Sequence, residues 1–155
     1  ILAVLVCFPF NVSALGTSAK AAILINGDTG EVIFEQNADE RLPMASTTKI
    51  MTCIYTLEVG NLNDEVVISR KAASQPKVRL GVKEGEKYLL KDLLYALMLE
   101  SYNDCAVAIA EHIGGSVEGF AEMMNEKAEE TGAKNTEFVT SSYIPFVPLT
   151  VNPLL

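Results

Sequence analysis

A serine stands three residues before a lysine in the segment Ser46-Thr47-Thr48-Lys49. If this segment begins a helix, the two side chains share a face and the lysine amine can take the proton of the serine hydroxyl. The lysine must then be neutral, a state that burial or a second nearby cation favours. Free N–H groups in the first helical turn would stabilise the negative charge that develops on an attacked carbonyl oxygen. The pattern predicts that Ser46 is a nucleophile and Lys49 its base.

Two further segments bear on this prediction. Ser74-Gln75-Pro76-Lys77 has the same spacing, but the proline biases Gln75 away from helical geometry, so we do not expect its serine and lysine to share a face. Ser101-Tyr102-Asn103 falls between two predicted helices, where a loop can present a hydroxyl and an amide to a cleft. The alternatives are that the Asn103 side chain caps the second helix and that Tyr102 only packs.

The elements that must position these residues follow from the hydrophobic pattern. Two short apolar runs flank Asn26-Gly27-Asp28-Thr29-Gly30 and predict a β-hairpin. Apolar residues then recur at helical spacing in four segments. The hairpin followed by helices predicts an α+β fold. The predicted strands are residues 22–25 and 31–35, and the predicted helices are 46–59 capped by Gly60, 90–99 buried on most sides, 103–113 capped by Asn103, and 116–131 ended by Gly132.

Composition restricts the partners. The chain has 155 residues, 49% of them hydrophobic, and a formal net charge of -8. A chain of this length can form a buried core without stabilisation by disulfides or metal ions. The negative net charge disfavours binding to nucleic acid. The cysteines at positions 7, 53 and 105 form no metal-ligand motif. We therefore expect no metal or cofactor, and we interpret Cys53 and Cys105 as small apolar residues.

The two ends have unusual compositions. Residues 1–14 carry no charge and end in Val12-Ser13-Ala14, which predicts a truncated secretory signal peptide and a secreted or cell-envelope location. A membrane anchor is the alternative, but the apolar run is short for a bilayer. Residues 141–155 form an aberrant apolar tail with three prolines. Because a lone hairpin is marginal, we expect residues 15–140 to be an incomplete domain whose later strands are missing.

Residues 21–140 resemble the first half of a D-alanyl-D-alanine carboxypeptidase, a low-molecular-mass penicillin-binding protein of the serine-lysine peptidase kind. The resemblance implies a DD-peptidase/β-lactamase-like fold with an antiparallel sheet and a helical region. It rests on these segments, in the order of the family: Asp28-Thr29-Gly30-Glu31-Val32, residues 42–52 around Ser46, Gly85-Glu86, residues 92–99, Ser101-Tyr102-Asn103-Asp104, Met124-Asn125, Asn135-Thr136 and Phe138.

The resemblance also implies roles for the candidate residues. Ser46 would be acylated by the terminal D-alanine amide of a peptidoglycan stem peptide or by a β-lactam, and Lys49 would take its proton. Ser101 would relay a proton to the leaving amine, and Asn103 would hold the substrate backbone amide beside Tyr102. Contact with a membrane surface would need a C-terminal anchor that this sequence does not contain.

One expected motif is missing from the sequence. Members of the family carry Lys-Thr-Gly on a strand beside the cleft, whereas this chain offers only Glu130-Thr131-Gly132, which begins with an acid in a predicted helix end. We therefore expect little or no carboxypeptidase turnover from this chain alone. A non-catalytic remnant or peptidoglycan-binding fragment is one alternative. A class A β-lactamase is disfavoured because Glu137 lacks the surroundings of that enzyme's deacylating carboxylate.

Overall fold

The computed structural model describes residues 16–133 and 135–142. Along the chain these residues divide into two compact units, the first ending at Glu40 and the second beginning at Arg41. The predicted signal peptide and residues 143–155 of the predicted tail lie outside the described residues. Helices and small antiparallel sheets make up the structure, so the predicted α+β class is confirmed. Within residues 16–133 and 135–142, none of the helices combines the length and apolar character that crossing a bilayer requires.

The first unit contains the predicted hairpin, with strands β1 (Ala22–Ile25) and β2 (Val32–Gln36) paired antiparallel. The Asn26 side chain stabilises the turn, because its Oδ1 accepts hydrogen bonds from the backbone N–H groups of Asp28 and Thr29. Gly30 completes the turn at a φ of 74°, which glycine adopts without strain. Apolar side chains of this hairpin remain largely exposed, namely Leu24, Ile25, Val32 and Ile33.

The second unit carries every candidate site residue. Its predicted helices are confirmed to within a few residues at each end. Three short elements were not predicted, namely β3 (Glu65–Val67), α2 (Arg70–Ala73) and β4 (Lys87–Leu89). β3 pairs antiparallel with β4, and Val66 lies opposite Tyr88. In chain order the unit contains a 3-10 turn (Ala45–Thr47), α1 (Thr48–Val59), β3 (Glu65–Val67), α2 (Arg70–Ala73), β4 (Lys87–Leu89), α3 (Leu90–Glu100), α4 (Asn103–Gly114) and α5 (Val117–Glu130).

Helix α4 is the centre of the hydrophobic core and packs against α1, α2, α3 and α5. All of its residues from Asn103 to Ala110 are buried, and Phe120 of α5 is fully buried beside them. Cys53 and Cys105 are free thiols, half-buried and buried respectively, as expected for packing residues.

Helix α3 differs from its prediction. Leu90, Leu93, Leu94 and Leu97 are buried on one face, but the Leu99 side chain is 77% exposed. The prediction that this helix is buried on most sides was therefore wrong. The leucine run is continuous in sequence, yet only one face of the helix contacts the core, so the remaining apolar side chains lie at the surface.

Helix α1 buries polar residues and exposes apolar ones. Its fully buried positions are Thr48, Lys49, Thr52 and Thr56. The exposed positions are the apolar residues Ile50, Ile54 and Leu57. Two of the buried hydroxyls have backbone acceptors, because Thr52 Oγ1 donates to the Ser141 carbonyl at 2.8 Å and Thr56 Oγ1 to the Thr52 carbonyl at 2.7 Å. Ser141 and Ser142 are buried, so the folded unit extends past the predicted boundary at residue 140.

Gly60 is the C-terminal cap of α1, as predicted, and its N–H donates to the Thr56 carbonyl. Its φ of -85° and ψ of 146° are extended, so the residue does not form a left-handed helix cap. A Cβ at this position would lie 2.7 Å from the Thr56 carbonyl oxygen and 2.9 Å from Leu90 Cδ2. The glycine therefore allows the close approach of α3 to the end of α1.

Candidate active site

Ser46 lies in the 3-10 turn that leads into α1. Ala45 before it has a φ of 46°, an uncommon conformation for a residue with a side chain, and it redirects the chain into the helix. The Thr47 hydroxyl donates to the Met44 carbonyl and ties the turn together. Ser46 itself is exposed. Its hydroxyl forms no hydrogen bond with Lys49 or with any other residue in the described part of the chain.

Ser101, Tyr102 and Asn103 connect α3 to α4, as predicted. Ser101 caps α3 in a left-handed conformation, with φ 60° and ψ 35°, and its N–H donates to the Leu97 carbonyl. Tyr102 is the N-terminal cap of α4 without a side-chain hydrogen bond, and Asn103 is the first helical residue. The alternative in which the Asn103 side chain caps α4 was therefore wrong, because that amide has a different partner.

That partner is Lys49, whose side chain is buried beneath the connection. Lys49 Nζ lies 2.6 Å from the Ser101 carbonyl oxygen, 3.0 Å from Ser101 Oγ and 2.8 Å from Asn103 Oδ1. Only 3% of the residue is exposed. The fold thus brings three of the predicted site residues into direct contact from positions more than fifty apart in sequence.

The partners of Lys49 Nζ are compatible with a neutral amine. The Ser101 carbonyl and Asn103 Oδ1 can only accept, so they use two N–H groups, and a neutral amine has two. The third partner is a hydroxyl, which can accept from an ammonium or donate to the lone pair of an amine. Burial lowers the pKa of Lys49 from its ordinary value, and a smaller interaction with Cys105 acts in the opposite direction. Burial therefore shifts Lys49 towards the neutral form, which is the form that can accept a proton.

A cavity of about 250 Å³ opens onto these groups. Its lining includes Ser46, Lys49 and Ser101, so the predicted nucleophile and the predicted base face one space. Tyr102 does not line this cavity and is half-buried against the hydrophobic core. The remaining lining residues are Thr47, Ile50, Leu97 and Met98.

The second serine-lysine pair has no comparable geometry. Ser74 follows the last residue of α2, and its hydroxyl donates to the Lys71 carbonyl at 2.9 Å. Lys77 lies beyond the end of that helix, in the irregular segment before β4. The expectation that this pair does not share a helical face is confirmed.

Sequence reasoning assigned no role to Asp104, which the structure places directly beside the site. Its carboxylate is fully buried and accepts hydrogen bonds from the backbone N–H groups of Leu80, Gly81, Val82 and Cys105. The only signal in the sequence was its place directly after Asn103. A carboxylate that binds backbone N–H groups of a distant loop has no characteristic spacing.

Comparisons with known proteins identify the family to which this chain is similar. The family model described as D-alanyl-D-alanine carboxypeptidase matches residues 9–142. The carboxypeptidase DacF of Bacillus subtilis is 42% identical over 131 residues, which cover 81% of this chain and 34% of DacF. The chain therefore spans about a third of the length of this curated relative.

Solved structures show the same fold. The carboxypeptidase DacD of Francisella tularensis superposes with a TM-score of 0.83 at 31% identity, covering 99% of this chain and 38% of DacD. Penicillin-binding protein D2 of Listeria monocytogenes, in its ampicillin-bound form, gives a TM-score of 0.74 at 27% identity and covers 87% of this chain and 57% of that protein. The predicted DD-peptidase-like fold is confirmed, and this chain belongs to the D-alanyl-D-alanine carboxypeptidase family.

Proposed function

We propose that this chain carries the serine-lysine half of a D-Ala-D-Ala carboxypeptidase site and works through an acyl-enzyme. The observation that carries the proposal is the burial of Lys49 Nζ against Ser101 and Asn103, at the wall of a cavity that Ser46 also lines. A desolvated amine beside an exposed serine hydroxyl is the arrangement that activates a weak nucleophile.

In the proposed acylation, Ser46 Oγ attacks the carbonyl carbon of the terminal peptide bond and its proton passes to Lys49 Nζ. The bond from that carbon to the D-alanine nitrogen then breaks. The leaving amine takes a proton from Lys49 through the Ser101 hydroxyl, which lies 3.0 Å from Nζ. Water later hydrolyses the ester and restores Ser46. Because Ser46 and Lys49 share no hydrogen bond in the unliganded site, we infer that the serine side chain rotates towards Nζ when substrate binds.

Asn103 is the proposed donor to the substrate backbone amide carbonyl, since its Oδ1 accepts from Lys49 and its amide nitrogen remains to donate. Tyr102 stays a predicted substrate contact. The proposed substrates are peptidoglycan stem peptides ending in D-Ala-D-Ala, and β-lactams are the proposed acylating inhibitors. The ampicillin-bound form of the Listeria relative supports the second class. The proposed site of action is the extracytoplasmic face of the cell envelope, and the predicted signal peptide is the proposed means of export.

We further propose that turnover by this chain alone is slow. The 155 residues contain no Lys-Thr-Gly segment to supply a second cation beside Lys49. Within the described residues, Lys49 is the one lysine or arginine that lines the cavity with Ser46. The second candidate function is a non-catalytic fragment that binds peptidoglycan.

Labelling with a fluorescent penicillin distinguishes these functions. We expect slow covalent labelling of Ser46, located by peptide mapping, and little release of D-alanine from a stem-peptide substrate. Ser46→Ala should abolish labelling, and Lys49→Met should slow it by about 10²–10⁴-fold, the usual contribution of a general base.

The second serine-lysine pair provides matched controls, since Ser74→Ala and Lys77→Met should both label at the wild-type rate. Failure of the folded wild-type chain to label at all would overturn the proposal and leave the binding fragment. Rapid hydrolysis of nitrocefin would instead indicate a β-lactamase.

A further inference from the structure

The backbone of residues 78–82 is attached to the start of α4 at two points. The Val78 carbonyl accepts a hydrogen bond from the Asn103 N–H at 2.8 Å. Three consecutive N–H groups, those of Leu80, Gly81 and Val82, then point at the Asp104 carboxylate at 3.0, 2.7 and 3.3 Å. This segment, the 78–82 loop, is thus fixed by the two residues that follow Tyr102.

The Asp104 carboxylate is an unusual group to find in a core. A buried carboxylate is costly unless hydrogen bonds satisfy it, and here backbone N–H groups supply them. Successive N–H groups that converge in this way form an anion-binding concavity. Gly81 lies within this turn at a φ of 90°, a conformation that glycine adopts without strain, and its N–H and that of Val82 both donate to Oδ2.

The same turn of chain reaches the candidate site. Asn103 is held by its N–H to Val78 and by its Oδ1 to Lys49 Nζ, so the two contacts fix both ends of the residue. A shift of the 78–82 loop would move the Asn103 backbone and with it the amide oxygen that orients Lys49. Displacements of about 1 Å at a catalytic group can cost about 10²-fold in rate.

We propose that Asp104 is a positioning residue of the active site: its buried carboxylate holds the 78–82 loop against α4 and thereby keeps Asn103 in contact with Lys49. This inference rests on the proposed function for its effect on acylation. Its structural part, the attachment of the loop, stands independently.

The first test replaces Asp104 by asparagine. Asp104→Asn keeps the shape but turns one oxygen into an NH₂ group that faces N–H donors. We expect hydrogen exchange at the amides of Leu80, Gly81 and Val82 to speed up by about tenfold or more, while amides of α5 keep their protection. Asp92→Asn is the matched control, because Asp92 also lies in the first turn of a helix but is exposed, and it should leave these rates unchanged.

The second readout follows the Lys49 side chain. As the loop loosens, water reaches Nζ and the pKa of Lys49 rises towards its ordinary value, since burial is the main cause of its lowering. The Cys105 thiol is the titratable group on α4 that interacts with both Lys49 and Asp104, and burial raises its pKa to about 12, so it stays neutral below that value. The acid limb of the penicillin-labelling rate should therefore move to higher pH in Asp104→Asn. If the substitution only reduced the fraction of folded protein, less chain would be labelled, but the acid limb of the labelling rate would stay at the same pH.

A second variant covers the case in which Asp104→Asn fails to fold. Gly81→Ala meets no steric clash but is strained at its φ of 90°, so it disturbs the loop and leaves the carboxylate intact. Gly85→Ala is its control, with a φ of 83°, equally open space and no contact with Asp104. We expect faster exchange at residues 80–82 and a shifted labelling limb in Gly81→Ala only.

Two outcomes would overturn the inference. One is unchanged amide exchange at residues 80–82 in folded Asp104→Asn, or in Gly81→Ala if Asp104→Asn does not fold. The other is faster exchange with an acid limb that stays at its wild-type pH. If the wild-type chain does not label, the proposed function fails separately, and the Lys49 side-chain titration followed by NMR replaces the labelling limb as the second readout.

Discussion

Helices α1 and α4 bring their residues to the same site by opposite means. Helix α4 buries an unbroken series from Asn103 to Ala110, which is mostly small and apolar, and within this series the polar residues Asn103 and Asp104 stand at the first turn. Helix α1 buries Lys49 and three threonines, while Ile50, Ile54 and Leu57 are exposed. From Cys105 to Ala110 of α4 the hydrophobic effect selects the inner face. In α1 that face is selected by hydrogen-bond partners.

The difference between the two helices distinguishes residues that stabilise the fold from residues that position the candidate catalytic groups. A buried apolar residue of α4 stabilises the fold through the area it removes from water. A buried polar residue of α1 offsets its desolvation only while its partner is present, and it contributes position rather than much net free energy. The helix with the candidate nucleophile and base is therefore the one whose inner face depends on specific partners.

The largest expected effect tests the apolar half of this comparison. Ile109→Ala on α4 removes a fully buried side chain and should lower the free energy of unfolding by about 2–5 kcal/mol. Leu57→Ala on α1 removes the same number of carbon atoms from a side chain that is 56% exposed. It should change the free energy of unfolding by about 0.5 kcal/mol or less. Urea denaturation of both variants measures the difference, and equal losses would show that the exposed face of α1 is covered in solution.

A smaller effect separates two threonines on the buried face of α1. Thr52→Val leaves the Ser141 carbonyl without its donor and should lower the free energy of unfolding by about 1–3 kcal/mol. Thr48→Val is the matched control, because Thr48 Oγ1 is buried with no hydrogen-bond partner in the described part of the chain. Thr48→Val should be neutral or stabilising in the same urea titration. If Thr48→Val lowers the free energy of unfolding more than Thr52→Val does, hydrogen bonds do not select the buried face of α1.

The smallest effect is the pH dependence of stability that Lys49 contributes. Because burial holds its pKa below 10.5 in the folded chain, the unfolded chain binds more protons between that lowered pKa and 10.5. The free energy of unfolding should rise with pH across this window. The stability contribution of Lys49 is fully present above pH 10.5, and it is lost as the pH falls through the pKa of Lys49 in the folded chain.

Cys105 acts in the opposite direction, since burial raises its pKa from 9.0 to about 12 and stability falls with pH between those values. Both wild type and Lys49→Met retain Cys105, so the difference between them gives the contribution of the lysine together with its interaction with Cys105. Identical pH dependence in the two proteins would mean that Lys49 titrates in the folded chain as it does in water.

The features that could be predicted from sequence are local or chemically distinctive. The turn of five residues from Asn26 to Gly30 places the hairpin, and Gly132 follows the end of α5. Lys49, Ser101 and Asn103 were selected by residue type and spacing, and they do meet.

The features that could not be predicted depend on partners far along the chain. Thr52 is buried because it bonds to the Ser141 carbonyl, which is 89 residues away. Asn103 was expected to cap its own helix, but its amide oxygen contacts Lys49, 54 residues away. Strand β3 has only three residues and depends on pairing with β4, for which the local pattern carries little signal.

The left-handed turn at Ser101 restricts which alcohol can stand there. At its φ of 60°, Ser101 presents both its carbonyl oxygen and its hydroxyl to Lys49 Nζ, so that two oxygens of one residue contact the amine. Threonine offers the same two oxygens, but its branched Cβ makes this conformation a genuine outlier. Glycine adopts the turn freely and has no hydroxyl. Backbone stereochemistry thus discriminates between chemically equivalent alcohols before any substrate arrives.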